Sequence, residues 1–587
     1  MRLAQHYVTL CQSIKGTSIK IYISEIANIL QCTERYAKSL LKQMGAKQWL
    51  QWLPSAGRSK PSTLILVKTL EDMQQIQVQF LIEKGKTDEA MKYLKDNGWD
   101  HKQIVEILGN QMIWSRKNGV DSLSYPYYRP IRTLIPFEAA TRHEGQLIQH
   151  IFNPLVRYNH RTHEFIPELI QYWQCLEDGT KWRFYVRKGV LFHNHKRLTA
   201  QTIIENFHLW QLKWSGWNQK LLKQIESIEV HSETAFTVQL TKPNYLFLHL
   251  FSDKNAMIID TQSYRQDIRH YQWHPIGTGP YQIKKHLKDQ ITLHAFQNYY
   301  GYQPSLDQIH LFSLPTPPYK KRKVYFQITS EETKSTTTYE TYQPELGGTF
   351  LFVNHQKKGK HQQPEFRKML SYAIDRQQLF QNHPSHDVWF PDSLIDEHAS
   401  PLRQKVNDSK AKQWFKENGF IGETIRLTST NLAHDAYFKY ELKVFRQLFK
   451  ELGIHLETNI VNIEELENPE KLSQTDILIS GIMVGENRLV SLLNLFTARR
   501  SFLYNTLPTH IQTVINEMVE KVISSRSTFD AYAEIRKLEA FLLEHDYMIF
   551  LYQRLISSKV VADSKLAGIE LNHYSRLNYE KLWYKIE

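Results

Sequence analysis

Residues 22–67 read YISEIANILQCTERYAKSLLKQMGAKQWLQWLPSAGRSKPSTLILV. Ile26, Ile29 and Leu30 recur at i, i+3 and i+4, the spacing of one buried face of a short helix. Gln31-Cys32 makes a turn, and Thr33 is placed to cap a second helix by accepting from its first free backbone N–H groups. In that helix Ala37, Leu40, Leu41 and Met44 form an apolar stripe. Arg35, Lys38, Ser39 and Lys42 repeat the spacing about half a turn away, so one stripe packs and the other is presented. Gly45 marks the helix end, residues 49–53 a short strand, 54–57 a turn, 58–61 a basic tip and 63–67 the returning strand. The stretch predicts a helix-turn-helix followed by a hairpin wing, with residues 3–14 as a preceding helix.

A helix of this kind fits the major groove of duplex DNA, where its polar edge meets base edges and its Arg and Lys meet phosphates. Residues 1–68 carry ten Lys and Arg against Glu25 and Glu34, a net of +8 out of +13 for the whole chain. Thr33, Arg35, Tyr36, Lys38, Ser39 and Lys42 are the expected groove-facing residues. Arg58 and Lys60 are the expected contacts to flanking phosphate or minor groove. A solvated basic helix pair packed on another surface accounts for the stripe, but not for the Trp-containing strand and basic wing behind it.

At 587 residues the chain is too long for one core and predicts three or four domains or lobes. Hydrophobic content of 41% and aromatic content of 12% suffice for buried cores and exclude a disordered chain. Mean hydropathy is −0.48 and no run of 18 apolar residues occurs, so no transmembrane helix or membrane partner is expected. Residues 1–16 lack the charged, apolar and small-residue regions of a signal peptide, which predicts a cytoplasmic protein. Cys11, Cys32 and Cys175 are far apart and odd in number, as expected of reduced thiols, and form no zinc pattern.

Beyond the wing, residues 70–83, 86–97 and 102–108 read as helices separated by Gly85 and Gly98, and residues 71–121 as a helical connector. Nine acids face seven bases between 69 and 124, so the excess positive charge stops with the wing. From residue 122 strands and helices alternate, with ordered landmarks. Ile166-Pro167-Glu168-Leu169 is followed by a Trp-containing segment from Gly179 to Val190, then Phe192-His193 and Leu198-Thr199-Ala200. Pro275-Ile276-Gly277-Thr278-Gly279-Pro280-Tyr281 comes next, then Phe350-Leu351-Phe352-Val353-Asn354 and the run from Pro364 to Arg376. Leu452-Gly453-Ile454 and Thr475-Asp476-Ile477-Leu478 close the set.

In this order the landmarks resemble the family 5 solute-binding proteins, the oligopeptide- and dipeptide-binding class of ABC transport receptors, over residues 122–587. Joined to the N-terminal unit, the whole resembles the SgrR-type transcriptional regulators. Gly57-Arg58-Ser59-Lys60 and Tyr127-Tyr128-Arg129-Pro130 carry that closer resemblance. It implies a winged helix-turn-helix at 1–70, the connector at 71–121 and a two-lobed α/β periplasmic-binding-protein-like sensor at 122–587. The first lobe would hold 122–348 and 546–587 and the second 349–545, with Gly347-Gly348 as a hinge. In peptide-binding relatives the strand equivalent to 476–481 is followed by an acidic residue that holds the peptide's α-amino group. Here Gly485 stands near that position with Glu486 beside it, which points away from peptides. The resemblance then implies a small metabolite, a sugar or sugar phosphate, with Arg129 or Arg132 positioned to meet an anion. Tyr127, Tyr128, Arg129 and Trp389 are the expected cleft residues, suited to clasping a polar ligand by stacking and charge.

The remaining motifs point to structure. Gly277, Gly279 and Pro280 make a sharp turn, with glycine supplying positive φ, and the lack of a following Lys-Ser/Thr argues against a phosphate loop. Residues 367–376 read as a buried helix through Met369, Leu370, Ala373 and Ile374, with Asp375-Arg376 a cap or surface pair. His193-x-His195 and His160-x-x-His163 lack a third ligand, so no metal or other cofactor is expected. Gly-x-Ser-x-Gly, His-Glu-x-x-His and neighbouring Cys/His are missing, so neither is catalysis. Trp173, Trp182, Trp210, Trp214, Trp217 and Trp389 suit core or cleft. Two functions compete: a DNA-binding regulator whose C-terminal half senses a small solute, and a transport receptor with an accessory N-terminal domain. The N-terminal charge favours the first.

Overall fold

The structure is a computed structural model of the 587-residue chain. It describes residues 2–585 except 15, 56–59, 84–86, 100–110, 118, 128–130, 140, 160–161, 288–289, 314–323, 330–334, 345–346, 384–387, 396–405, 431–435, 462–464, 467–468, 486, 499–500 and 573–575.

Helices α1 (Arg2–Ser13), α2 (Ile23–Ile29) and α3 (Glu34–Ala46) surround a core of their own with strands β1 (Ser18–Ile21), β2 (Leu50–Leu53) and β3 (Ser62–Leu66). The strands form one antiparallel sheet in the order β1-β3-β2. Apolar side chains from every element, including Leu10, Ile26, Leu40, Leu50 and Leu64, meet in this core, each worth about 1.5–3 kcal/mol on full burial. Tyr7 pins α1 to the base of the wing, its hydroxyl 2.5 Å from the Trp49 carbonyl and 2.8 Å from that of Lys68. Strand β1 was not expected from the sequence. It completes the sheet by pairing Ser18–Ile21 with residues 62–65.

Helices α4 (Leu70–Glu83) and α5 (Thr87–Asp96) follow, and Met73 of α4 joins the N-terminal core. The helix expected at 102–108 lies outside the described residues. Residues 111–117, expected within the helical connector, are instead strand β4 (Gln111–Lys117), paired in a hairpin with β5 (Val120–Tyr127) and in parallel with the strand Val324–Thr329. The physical reason is tertiary: Trp114 and Ile328 enter the same buried core, and local propensity yields to it.

The rest of the chain is the two-lobed α/β fold. A large mixed sheet runs through both lobes. Its central strand, Ile549–Asp563, begins in the core that holds Leu351, Leu427 and Phe445 and ends in the core that holds Leu123, Ile309 and Tyr281. The strand Gly347–Val353 pairs antiparallel with its first half and with Ile477–Met483. Gly348 there is closely packed: a Cβ would lie 2.4 Å from the Phe550 ring. The run from 364 to 376 breaks into helices Pro364–Ala373 and Arg376–Phe380. Asp375 caps the second through Gln378 N–H. Arg376 is buried, not at the surface, because it donates to the Pro391 carbonyl and pairs with Asp392.

Candidate functional site

Thr33 begins α3 as expected, its hydroxyl accepting from Tyr36 N–H at 3.3 Å. Ala37, Leu40, Leu41 and Met44 are buried on one face. Thr33, Arg35, Tyr36, Lys38, Ser39 and Lys42 are all exposed. Gln31 adopts φ +50° in the turn between α2 and α3, which lets the chain reverse within three residues. Arg35, Lys38, Lys42 and Lys60 form no ion pair with a carboxylate among the described residues, so their charge is available to a polyanion. Tyr36 also meets the edge of His6 on α1, with ring centroids 6.2 Å apart, which sets its direction on the exposed face.

The wing is closed at its base by Ser55, whose hydroxyl donates to the Lys60 carbonyl at 2.8 Å and whose N–H donates to the Ser62 hydroxyl at 3.3 Å. This holds exposed Lys60 at the tip's edge. Arg58 lies outside the described residues.

Beyond the N-terminal unit, residues 216–252 meet residues 487–528 through a built interface. Trp217 donates from its indole to Asn494 Oδ1 at 2.9 Å and from its backbone to Thr497 Oγ1 at 3.1 Å. Gly216, at φ +68°, lets the backbone approach Thr497, where a Cβ would come within 2.6 Å of a carbonyl. Lys220 and Lys242 both pair with Glu520. Asn487 caps the helix Arg488–Thr497 with its carbonyl, so its amide donates to His249 Nδ1 at 2.9 Å and to Ser252 Oγ. His249 then donates from Nε2 to Thr528 at 3.1 Å, and burial lowers its pKa to about 4, which keeps the ring neutral. The apolar core is continuous across this contact, from Trp210 and Trp217 to Leu493 and Phe496. The sequence reading missed this network. The Asn487 cap was legible from an Asn before an apolar helical run, but its reach to His249 was not.

Of the expected cleft residues, Tyr127 and Trp389 lie among the described ones. Tyr127 is 5% exposed and belongs to the first-lobe core. Trp389 is 51% exposed, in the short strand Val388–Trp389, which pairs with Arg554 and Gln553 of Ile549–Asp563. Tyr128 and Arg129 lie outside the described residues, as does Glu486. Arg132 turns to Glu144, whose buried carboxylate accepts from the backbone N–H of Arg132 and Thr133. Among the described residues no cluster of three His, Cys, Asp or Glu could hold a metal ion, and no helix is long and apolar enough to cross a membrane.

Residues 164–501 match the model of the bacterial extracellular solute-binding proteins, family 5 Middle, and residues 2–119 match that of the sugar transport-related sRNA regulator N-term. The chain is 27% identical over 472 residues to the HTH-type transcriptional regulator SgrR of Yersinia enterocolitica, spanning 78% of this chain and 79% of that one. It is 28% identical over 393 residues to the SgrR of Pectobacterium atrosepticum, spanning 66% and 68%. NikA from Brucella suis, solved in complex with Fe(III)-EDTA, superposes with a TM-score of 0.63 at 17% identity, covering 79% of this chain and all of that one. A dipeptide-binding protein from a Pseudoalteromonas species, solved with Met-Leu, gives 0.64 at 13% identity with the same coverage. At these identities the two structures speak for the fold alone.

Proposed function

The chain belongs to the family 5 bacterial solute-binding proteins, and from that premise we propose a transcriptional regulator that binds duplex DNA through its N-terminal unit and senses a small solute between its lobes. The observation that carries the DNA half is α3 itself: a capped helix with one face buried and Arg35, Lys38 and Lys42 exposed without carboxylate partners. Arg35, Tyr36 and Ser39 read base edges, Lys38 and Lys42 meet phosphates, and Thr33 orients the helix terminus. Arg58 and Lys60 hold flanking phosphate or the minor groove. The N-terminal unit is divided from the sensor between α5 and β4, since β4 already belongs to the large sheet. The protein acts where the DNA is, in the cytoplasm, and its target is a transport-related gene.

For the sensor, the match to a sugar transport-related regulator domain supports a sugar or sugar phosphate as the solute. The lobes close on each other through Trp217 and Asn487, so a solute between them must trade against those contacts. A regulator with this architecture changes DNA affinity only if the solute prefers one lobe arrangement over another. The test is fluorescence anisotropy of full-length protein on DNA from its own upstream region. Arg35→Ala and Lys60→Ala are expected to weaken binding. Wild-type affinity in both variants would remove α3 and the wing from the interface.

A further inference from the structure

Away from both surfaces, the first lobe keeps a half-open cavity of about 400 Å³, counting the solvent at its mouth. No lining residue comes from 350–545, so it is not the space between the lobes. Its walls are the rings of Tyr125 and Tyr127, two residues apart and on one face of β5, together with Tyr579 and the aliphatic Leu147 and Leu311. Its polar groups are Arg576, His143 and Gln146, and the lining contains no carboxylate.

The sequence fixes these groups through the helix Arg142–Ile151, here α6, and the C-terminal segment folded against it. Gln146 donates to the Leu577 carbonyl at 2.8 Å and accepts from Asn572 at 2.5 Å. Asn572 in turn accepts from Arg576 N–H at 3.1 Å, so the loop that carries Arg576 is tied to α6 on both sides. The guanidinium donates to His143 Nε2 at 3.2 Å, which requires that nitrogen to be unprotonated and leaves the positive charge on Arg576.

Tyr125 is the telling residue. It is 8% exposed, its ring lies 5.7 Å from that of Tyr579, and its hydroxyl makes no hydrogen bond among the described residues. The hydroxyl is open to the cavity and can donate to a ligand atom or to water there. Arg576 is close enough to bear electrostatically on that hydroxyl. A forked cation, a donor hydroxyl and flat aromatic walls are together the complement of an oxyanion on a compact body. The enclosed part is only about 30 Å³, so the body of a ligand held there must extend through the half-open mouth.

We infer that this cavity binds a small organic anion, its carboxylate or phosphate on Arg576 and Tyr125 and its body among Tyr127, Tyr579 and Leu147. The site is separate from the inter-lobe solute and does not rest on that reading.

Calorimetric titration of the full-length protein with benzoate, phenyl phosphate and neutral benzyl alcohol tests it. At least one anion is expected to bind saturably, and benzyl alcohol at least tenfold more weakly than that anion. Arg576→Gln should weaken the anion roughly tenfold or more, and Arg576→Lys less. Tyr125→Phe removes only one oxygen from a packed ring and should weaken it several-fold, so it decides the matter if Arg576→Gln does not fold. Trp217→Phe, at the lobe contact, should leave the affinity unchanged; a matching loss there would merge this site with the inter-lobe one and overturn it as a separate site. Saturable binding by neither anion, or anion affinity equal to wild type in both Arg576→Gln and Tyr125→Phe, would also overturn the assignment.

Discussion

His193 shows how much one side chain organises. Its backbone N–H donates to the Gly277 carbonyl at 2.9 Å, its Nδ1 accepts from Gly277 N–H at 3.3 Å, and its Nε2 donates to the Gly279 carbonyl at 3.0 Å. The glycines are needed for close approach and not for φ. A Cβ at 277 would stand 2.1 Å from the Ile151 carbonyl and one at 279 2.5 Å from that of His150, while neither residue has a left-handed φ. Burial lowers the His193 pKa to about 4, against about 6.5 in the unfolded chain. Above pH 6.5 both states are neutral and the shift has no effect. As pH falls from 6.5 to 4 the unfolded chain takes up the proton and the native one does not, so stability falls, by about 3 kcal/mol for this group at the acid end. His193→Gln is therefore expected to be less stable at pH 7, through lost bonds, but to lose less on acidification. Urea titrations at pH 7, 5.5 and 4.5 compare the slopes. Equal slopes would place the acid sensitivity elsewhere, for instance on His249 or His150, whose pKa values burial also lowers.

At the scale of elements, α3 was readable because everything that defines it is local: the Thr33 cap, the apolar stripe and the basic stripe fall within fourteen residues. Leu40→Ala should cost about 2–5 kcal/mol, since Leu40 is 2% exposed in the N-terminal core, and thermal unfolding of the N-terminal unit measures it. Arg35→Ala should relax base discrimination by roughly 1–3 kcal/mol. Lys60→Ala should weaken all sequences alike and lower the dependence of log affinity on log salt by about one. A Lys60→Ala variant with an unchanged salt slope would move the wing off the phosphates. Elements set by distant partners were not readable. Strand β1 has four residues and pairs with a strand more than forty residues away. Strand β4 finds one partner in its hairpin and another at 327–329. The strands that carry Tyr127 and Trp389 were not placeable for the same reason, since strand order in the sheet is not sequence order. The family landmarks carried the two-lobed fold where local pattern could not.

For the whole molecule, the question is what holds the lobes together and what a solute or a DNA site must work against. The contacts across the interface are unequal. Lys220 and Lys242 meet Glu520 where all three side chains are 38–47% exposed, and such pairs contribute about 0–1 kcal/mol. Trp217 is 1% exposed and fills the continuous core while its indole N–H satisfies Asn494, so its truncation to Ala costs about 3–5 kcal/mol. Trp217→Ala should therefore raise hydrogen exchange along the helix Arg488–Thr497, and Lys242→Ala should not. If lobe closure is what the N-terminal unit senses, Trp217→Ala should also shift operator affinity by the 5–150-fold that a coupling of about 1–3 kcal/mol allows, and bound DNA must by linkage change solute affinity by the factor by which the solute changes DNA affinity. X-ray scattering reports whether the lobes have separated and anisotropy reports operator affinity on the same samples. Lobes that separate in Trp217→Ala while operator affinity stays within about twofold of wild type would uncouple closure from DNA binding. The sensor would then have to signal through the β4–β5 hairpin or the helices before it.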